Sequence, residues 1–136
     1  MALETTLLYE LETPVPFTCA DGTGIEKGAI LKIADPSTVS VAGTDNDAVI
    51  GIAAEEKVAS DGRTKVGVYL RGIFIGTAGA AGVTAGDKLI IDSSTGDDNE
   101  IVVADATSAH IMGIALETAT DLQTFQFLLQ TGSGQP

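Results

Sequence analysis

Few residues in this chain have the types and spacing that chemistry requires. His110 is the single histidine and Cys19 the single cysteine. A nucleophile–base pair is the reaction those two would support, but no matched motif frames either one. A catalytic triad or a histidine-rich metal site needs partners that are missing. His110 reads as a structural histidine at the start of a strand, and Cys19 as a small buried hydrophobe. Two acidic runs, Asp45-Asn46-Asp47 and Asp97-Asp98-Asn99-Glu100, carry oxygen ligands suited to a hard cation. Neither has the glycine and terminal glutamate of an EF-hand loop, and Asp and Asn are also the ordinary residues of tight turns. The glycines form no phosphate-binding signature. Of seven Lys and Arg, Lys57, Arg63, Lys65 and Arg71 fall in one segment. They read either as a basic spot for an acidic partner surface or as scattered solvated strand residues. The residues therefore imply no enzyme, no cofactor and no metal requirement.

The elements that position these residues are strands. Gly24, Gly28, Leu31 and Ile33 recur as Gly82, Gly86, Leu89 and Ile91. Ile50-Gly51-Ile52-Ala53 recurs as Met112-Gly113-Ile114-Ala115, and Glu55 as Glu117. Both halves then cross a polar stretch and end in an apolar strand, Val66–Leu70 and Phe125–Leu129. What repeats is turn glycines and alternating apolar residues, so the duplication is architectural. Comparing the copies identifies a core face. Leu31 and Ile33 keep their apolar character as Leu89 and Ile91, whereas Ile30 becomes Lys88 and Lys32 becomes Ile90. Gly51 and Gly113 sit mid-strand, where glycine signals a bulge or the close approach of another backbone.

Residues 5–12 alternate with the period of a half-buried strand. Pro14 and Pro16 follow, and each removes a ladder donor, so 13–17 is an extended arm or an edge. Residues 64–76 give the longest strand signal, with a bulge or a more enclosed environment expected after Gly72. Residues 54–60 are the best candidate for a short helical turn. The fold class is all-β, a small barrel or sandwich with an internal two-fold repeat and an extended N-terminal arm. The expected segments are an arm or edge strand (1–17), a first repeat (18–76), a connector (77–86), a second repeat (87–132) and a tail (133–136).

Composition sets limits on partners. The 136 residues carry a formal net charge of −12, which disfavours nucleic acid and anionic membranes through repulsion. The first residues lack the basic and apolar regions of a secretory signal. No stretch approaches the roughly 20 apolar residues of a membrane-spanning helix.

From Gly24 to Phe74 the chain resembles head decoration proteins of tailed phages, of the lambda type. The match lies in the order Gly24-x-x-x-Gly28-x-x-Leu31, the turn Asp35-x-Ser37-Thr38, an acidic loop, and Ala48–Ala53. It ends in Thr64-x-Val66-x-Val68-Tyr69-x-x-Gly72-x-Phe74. The resemblance implies a small β-rich body that forms homotrimers, binds the exterior of an expanded capsid and cements neighbouring major capsid protein subunits. It implies a virion location after assembly in host cytoplasm. The expected partner-binding residues are Leu7, Leu8, Tyr9, Leu11, Val15 and Phe17 of the arm, with Arg63, Lys65 and Arg71. Residues 5–12 are expected either to add a strand to a capsid sheet or to form the protein's own first strand. The competing class is a ligand- or carbohydrate-binding adhesion module, against which the scarcity of aromatic stacking residues weighs.

Overall fold

The computed structural model describes residues 4–34, 36–43, 47–92, 99–104, 108 and 110–131. The acidic residues Asp45, Asn46, Asp97 and Asp98, and the tail from residue 132, lie outside them. Eleven strands and no helix occur among the described residues: β1 (Thr6–Glu10), β2 (Val15–Thr18), β3 (Ile30–Ala34), β4 (Thr38–Val41), β5 (Val49–Ala53), β6 (Lys65–Tyr69), β7 (Arg71–Ala78), β8 (Lys88–Ile91), β9 (Glu100–Val103), β10 (Gly113–Ala115) and β11 (Thr124–Gln130).

These strands close two five-stranded barrels. The first runs β2-β4-β3-β5-β6 and returns to β2. The second runs β7-β9-β8-β10-β11 and returns to β7, with β1 added on β7. In both rings one pairing is parallel and closes the circle, Thr18 on Thr38 in the first and Thr77 on Glu100 in the second. The correspondence extends to single hydrogen bonds. Gly28 N–H donates to the Ala53 carbonyl as Gly86 N–H does to Ala115, and Ile25 pairs with Lys57 as Val83 pairs with Ala119. Gly28 and Gly86 both have positive φ, 84° and 95°, which explains why glycine occupies both places.

Both mid-strand glycines lie in close approach to another backbone, and Gly51 lies at a bulge as well. A Cβ on Gly51 would collide with the Tyr69 carbonyl oxygen, and one on Gly113 with that of Leu128. The register of β3 against β5 also shifts opposite Gly51, between Leu31 and Lys32.

The run 64–76 is two strands. β6 ends at Tyr69 and β7 begins at Arg71, so the chain passes at Leu70 from one barrel to the other. The doubly apolar stretch after Gly72 is enclosed because β7 is flanked by β11 on one edge and by β1 and then β9 on the other. Pro16 lies inside β2, where β2 pairs only with β6; β4 meets β2 at Thr18 alone. A residue without an N–H is tolerated on such a one-sided stretch. Residues 54–60 form a bridge and turns rather than a helical turn, because Lys57 is held in backbone pairing with Ile25.

Two apolar clusters fill the molecule. Leu31, Val39, Val66 and Val68 pack inside the first barrel with Cys19 and Ile25. The second cluster contains Phe74, Leu89, Ile101, Phe125 and Phe127, and it also takes in Ile30, Val49 and Ile52 from the first barrel. One core therefore crosses the junction between the barrels. On the face of β3 that the two copies do not share, Ile30 is fully buried there.

Candidate interaction surfaces

Cys19 sits 3% exposed in the first barrel, and burial pushes its thiol above the ordinary range despite the opposing pull of Lys57 and Arg63. That is the opposite of an activated nucleophile. His110 is exposed and lies outside β10. Asn99 is buried, with φ of 85°. Its Oδ1 accepts from Ile30 N–H at 2.9 Å and its Nδ2 donates to the Gly28 carbonyl at 2.8 Å. Its amide is thus a clasp between the barrels, not a cation ligand. Asp47 is committed likewise, accepting from Gly43 N–H at 3.0 Å and pairing with Lys32 at 3.7 Å.

The basic segment divides in two. Lys57 belongs to no surface patch: its side chain is fully buried, and its Nζ has four oxygen neighbours between 2.8 and 3.0 Å. They are the Asp21 carbonyl and carboxylate, the Val58 carbonyl and the Asp61 carboxylate. Burial alone would lower the pKa of this ammonium, but the bonds to Asp61 and Asp21 outweigh it and hold the pKa above the ordinary lysine value. The hydrogen bond from Lys57, then that from Arg63 N–H, hold Asp61 below the ordinary carboxylate range. The position equivalent to Lys57 in the second barrel is Ala119, so this cluster has no counterpart there. Arg63 and Lys65 do reach the surface. Arg63 donates to Glu55 at 2.8 Å, and Lys65 Nζ to Thr18 Oγ1 at 3.1 Å. Arg71 is exposed at the start of β7.

The expected contact residues of the N-terminal segment also divide. Leu8, Tyr9, Leu11 and Val15 are exposed, Tyr9 at 60%. Leu7 is half-buried against the core that crosses the barrels, and Phe17 is half-buried against the first barrel's core. The arm is anchored: β1 pairs antiparallel with β7, and Thr5 donates through its hydroxyl to the Gly28 carbonyl at 2.6 Å. Its register slips between Leu7 and Tyr9, which leaves Leu8 as a bulge.

Sequence reading missed a second set of exposed apolar residues: Ile114, Leu116 and Leu122 on the second barrel and Val58 on the first. Leu122, 59% exposed, also has a positive φ of 60°. An open hollow of about 410 Å³ lies against the first barrel, lined by Ile25, Ala29, Val41 and Val58 with Glu26 and Glu56 on its walls. No aromatic ring lines it, so it offers no platform for sugar stacking.

Two joined all-β barrels, held by main-chain pairing and one shared apolar core, define a structural module. Residues 12–130 match the family model described as phage cement protein. The chain belongs to that family, and its role is structural and capsid-associated. Among solved structures it is similar to the head fiber gp8.5 N base of bacteriophage phi29. That similarity has 23% identity and a TM-score of 0.54, over 86% of this chain and 94% of that one. At this identity the likeness is one of fold. No curated protein matches the chain.

Proposed function

We propose that this protein binds the exterior of the expanded capsid and cements neighbouring major capsid protein subunits, acting as a homotrimer assembled in host cytoplasm. The observation that carries the reading is the run of exposed apolar side chains Leu8, Tyr9, Leu11 and Val15 on an anchored segment of an otherwise acidic body. A monomer gains nothing from showing such a run to water. Leu7 and Phe17 fix the segment to the two barrels, and Arg63, Lys65 and Arg71 supply positive charge toward an acidic capsid surface. The inner edge of β1 is occupied by β7, so any strand added by the capsid pairs with its outer edge. The bulge at Leu8 shortens that ladder and puts more of the binding energy on side chains.

The mechanism is linkage. A protein that binds only the expanded lattice stabilises it by about 4 kcal/mol per site at a thousandfold excess over Kd. Contact with several subunits adds avidity. Co-sedimentation with expanded and unexpanded heads lacking this protein tests the reading. Binding to expanded heads alone, with a higher melting temperature of the shell, is expected. Binding to neither form would end it.

A further inference from the structure

One row of side chains has opposite fates in the two barrels. Tyr69, Ile52 and Ile30 are direct partners across β6, β5 and β3. Leu128, Ile114 and Lys88 hold the same places across β11, β10 and β8. The first row is covered. Ile30 and Ile52 are at most 1% exposed, and Tyr69 meets Phe74 edge-on with ring centroids 5.7 Å apart. What covers it is the other barrel, through Phe74 of β7 and the Asn99 clasp on Ile30. The second row is open: Ile114 is 36% exposed, Lys88 is exposed and Leu128 is half-buried.

The covering end also has a counterpart. Val15 faces Val68 as Phe74 faces Phe127, so Val15 stands in the first barrel where Phe74 stands in the second. Ser37 and Asn99 each precede the strand that closes its ring in parallel, and both have positive φ, 46° and 85°. Val15 is 39% exposed and Ser37 is exposed. Each chain thus presents an uncovered row at one end and, at the other, the counterpart of the surface that covers such a row.

We propose that two copies of this chain join head to tail, the Leu128–Ile114–Lys88 row of one packing on the Val15–Ser37 end of the next. The contact between chains repeats the one the barrels make within a chain. The proposal rests on the homo-oligomer reading above and assigns its faces, giving Val15 to the contact between copies and leaving Leu8, Tyr9 and Leu11 to the capsid. Lys88 replaces Ile30 in the row, and the receiving end carries exposed Glu12 three residues before Val15. A contact between unlike faces closes into a ring or grows into a filament, and a trimer is a closed ring of this kind.

Light scattering and sedimentation equilibrium on the full chain test this, with Ile114→Glu, Val15→Glu and an equimolar mixture of the two. Wild type is expected at a multiple of 13.8 kDa. Each variant is expected to be monomeric, its association weakened at least about a hundredfold, with an unchanged β-sheet circular dichroism spectrum. The mixture is expected to form dimers and nothing larger, because one intact row and one intact end remain. Ile114→Asn and Val15→Asn give the same pattern if a glutamate variant does not fold. A monomeric wild type overturns both the self-association and the reading beneath it. An oligomeric wild type with indifferent variants, or a mixture without dimers, overturns the face assignment alone. Loss of head binding by Ile114→Glu from a monomeric wild type would give the row to the capsid and also overturns the proposal.

Discussion

At the scale of single residues, the glycines were legible and the lysine was not. Gly51 and Gly113 recur in the sequence because each lies against a carbonyl oxygen of the neighbouring strand, leaving no room for a Cβ. The obstruction is backbone, so it does not yield cheaply. Gly113→Ala is expected to cost about 3 kcal/mol in urea unfolding, and Gly51→Ala about the same. Lys57 read as one more surface cation, since nothing local distinguishes a lysine that turns inward to Asp21 and Asp61. Its partners lie 36 and 4 residues away, and only folding brings Asp21 near. The cluster has a pH signature. Asp61 is held low by Lys57, and Glu55 by the Gly67 N–H, with Arg63 adding to it. A depressed folded pKa gives stability that is present above the ordinary carboxylate range and is lost as pH falls through the folded value. Lys57, held high, loses its contribution only above the ordinary lysine range. Thermal melting is therefore expected to fall on acidification below the carboxylate range and to stay level through neutrality. In Lys57→Met the acid-dependent part should shrink and the neutral-pH melting temperature should drop.

Strands were easier to find than their ends. Alternation marked most of them, but 13–17 read as an arm or an edge where β2 closes the first barrel, and 64–76 looked like a single strand because Leu70, where the chain changes barrels, is itself apolar. The core face of β3 was read by asking which positions stay apolar in both copies, and Leu31 and Leu89 are indeed fully buried. The same rule placed Ile30 on the outer face. The junction between barrels buries Ile30 but not its counterpart Lys88, so comparing the copies hides it. The exposed Ile114 and half-buried Leu128 were missed for the mirror-image reason, and the one signal was Lys88 in place of Ile30. The N-terminal segment gives this scale its prediction. β1 contributes Leu7 to the crossing core, and Thr5 just before it donates its hydroxyl to the Gly28 carbonyl. Deleting residues 2–12 is expected to lower stability by about 2–3 kcal/mol through lost apolar burial and hydrogen bonding. Tyr9→Asp, whose side chain is mostly in water, should leave melting within about 0.5 kcal/mol of wild type and weaken binding to heads. Equal damage to melting by both changes would show that the segment is fold alone.

For the whole molecule the question is whether two barrels act as one body. A cement that bridges subunits carries load only if it does not hinge between its contact surfaces. The chain crosses between the barrels twice, from β1 on the second barrel to β2 of the first and back again at Leu70, and two chain links alone would not prevent hinging. Three features do so here. The apolar cluster runs through the junction, with Ile30, Val49 and Ile52 packed among second-barrel residues. The Asn99 amide bonds Ile30 and Gly28 from the opposite barrel. Thr131 donates from beyond β11 to the Ile50 carbonyl at 3.1 Å. A core shared this way makes the barrels unfold together, so calorimetry is expected to show one transition whose calorimetric and van't Hoff enthalpies agree. Asn99→Ala leaves the buried Ile30 N–H without its partner, while the Gly28 carbonyl keeps the Thr5 hydroxyl, at a cost of about 1–3 kcal/mol. Ile52→Ala opens a cavity in the junction at a cost of about 2–5 kcal/mol. The two sites lie in one interface and should couple in a double-mutant cycle. With both changes the junction is weakened on its polar and apolar sides together, and the transition is expected to broaden or split. Two resolved transitions in the wild type would mean that the barrels are independent, and a bridging role would then need a rigid partner at the Leu70 crossing.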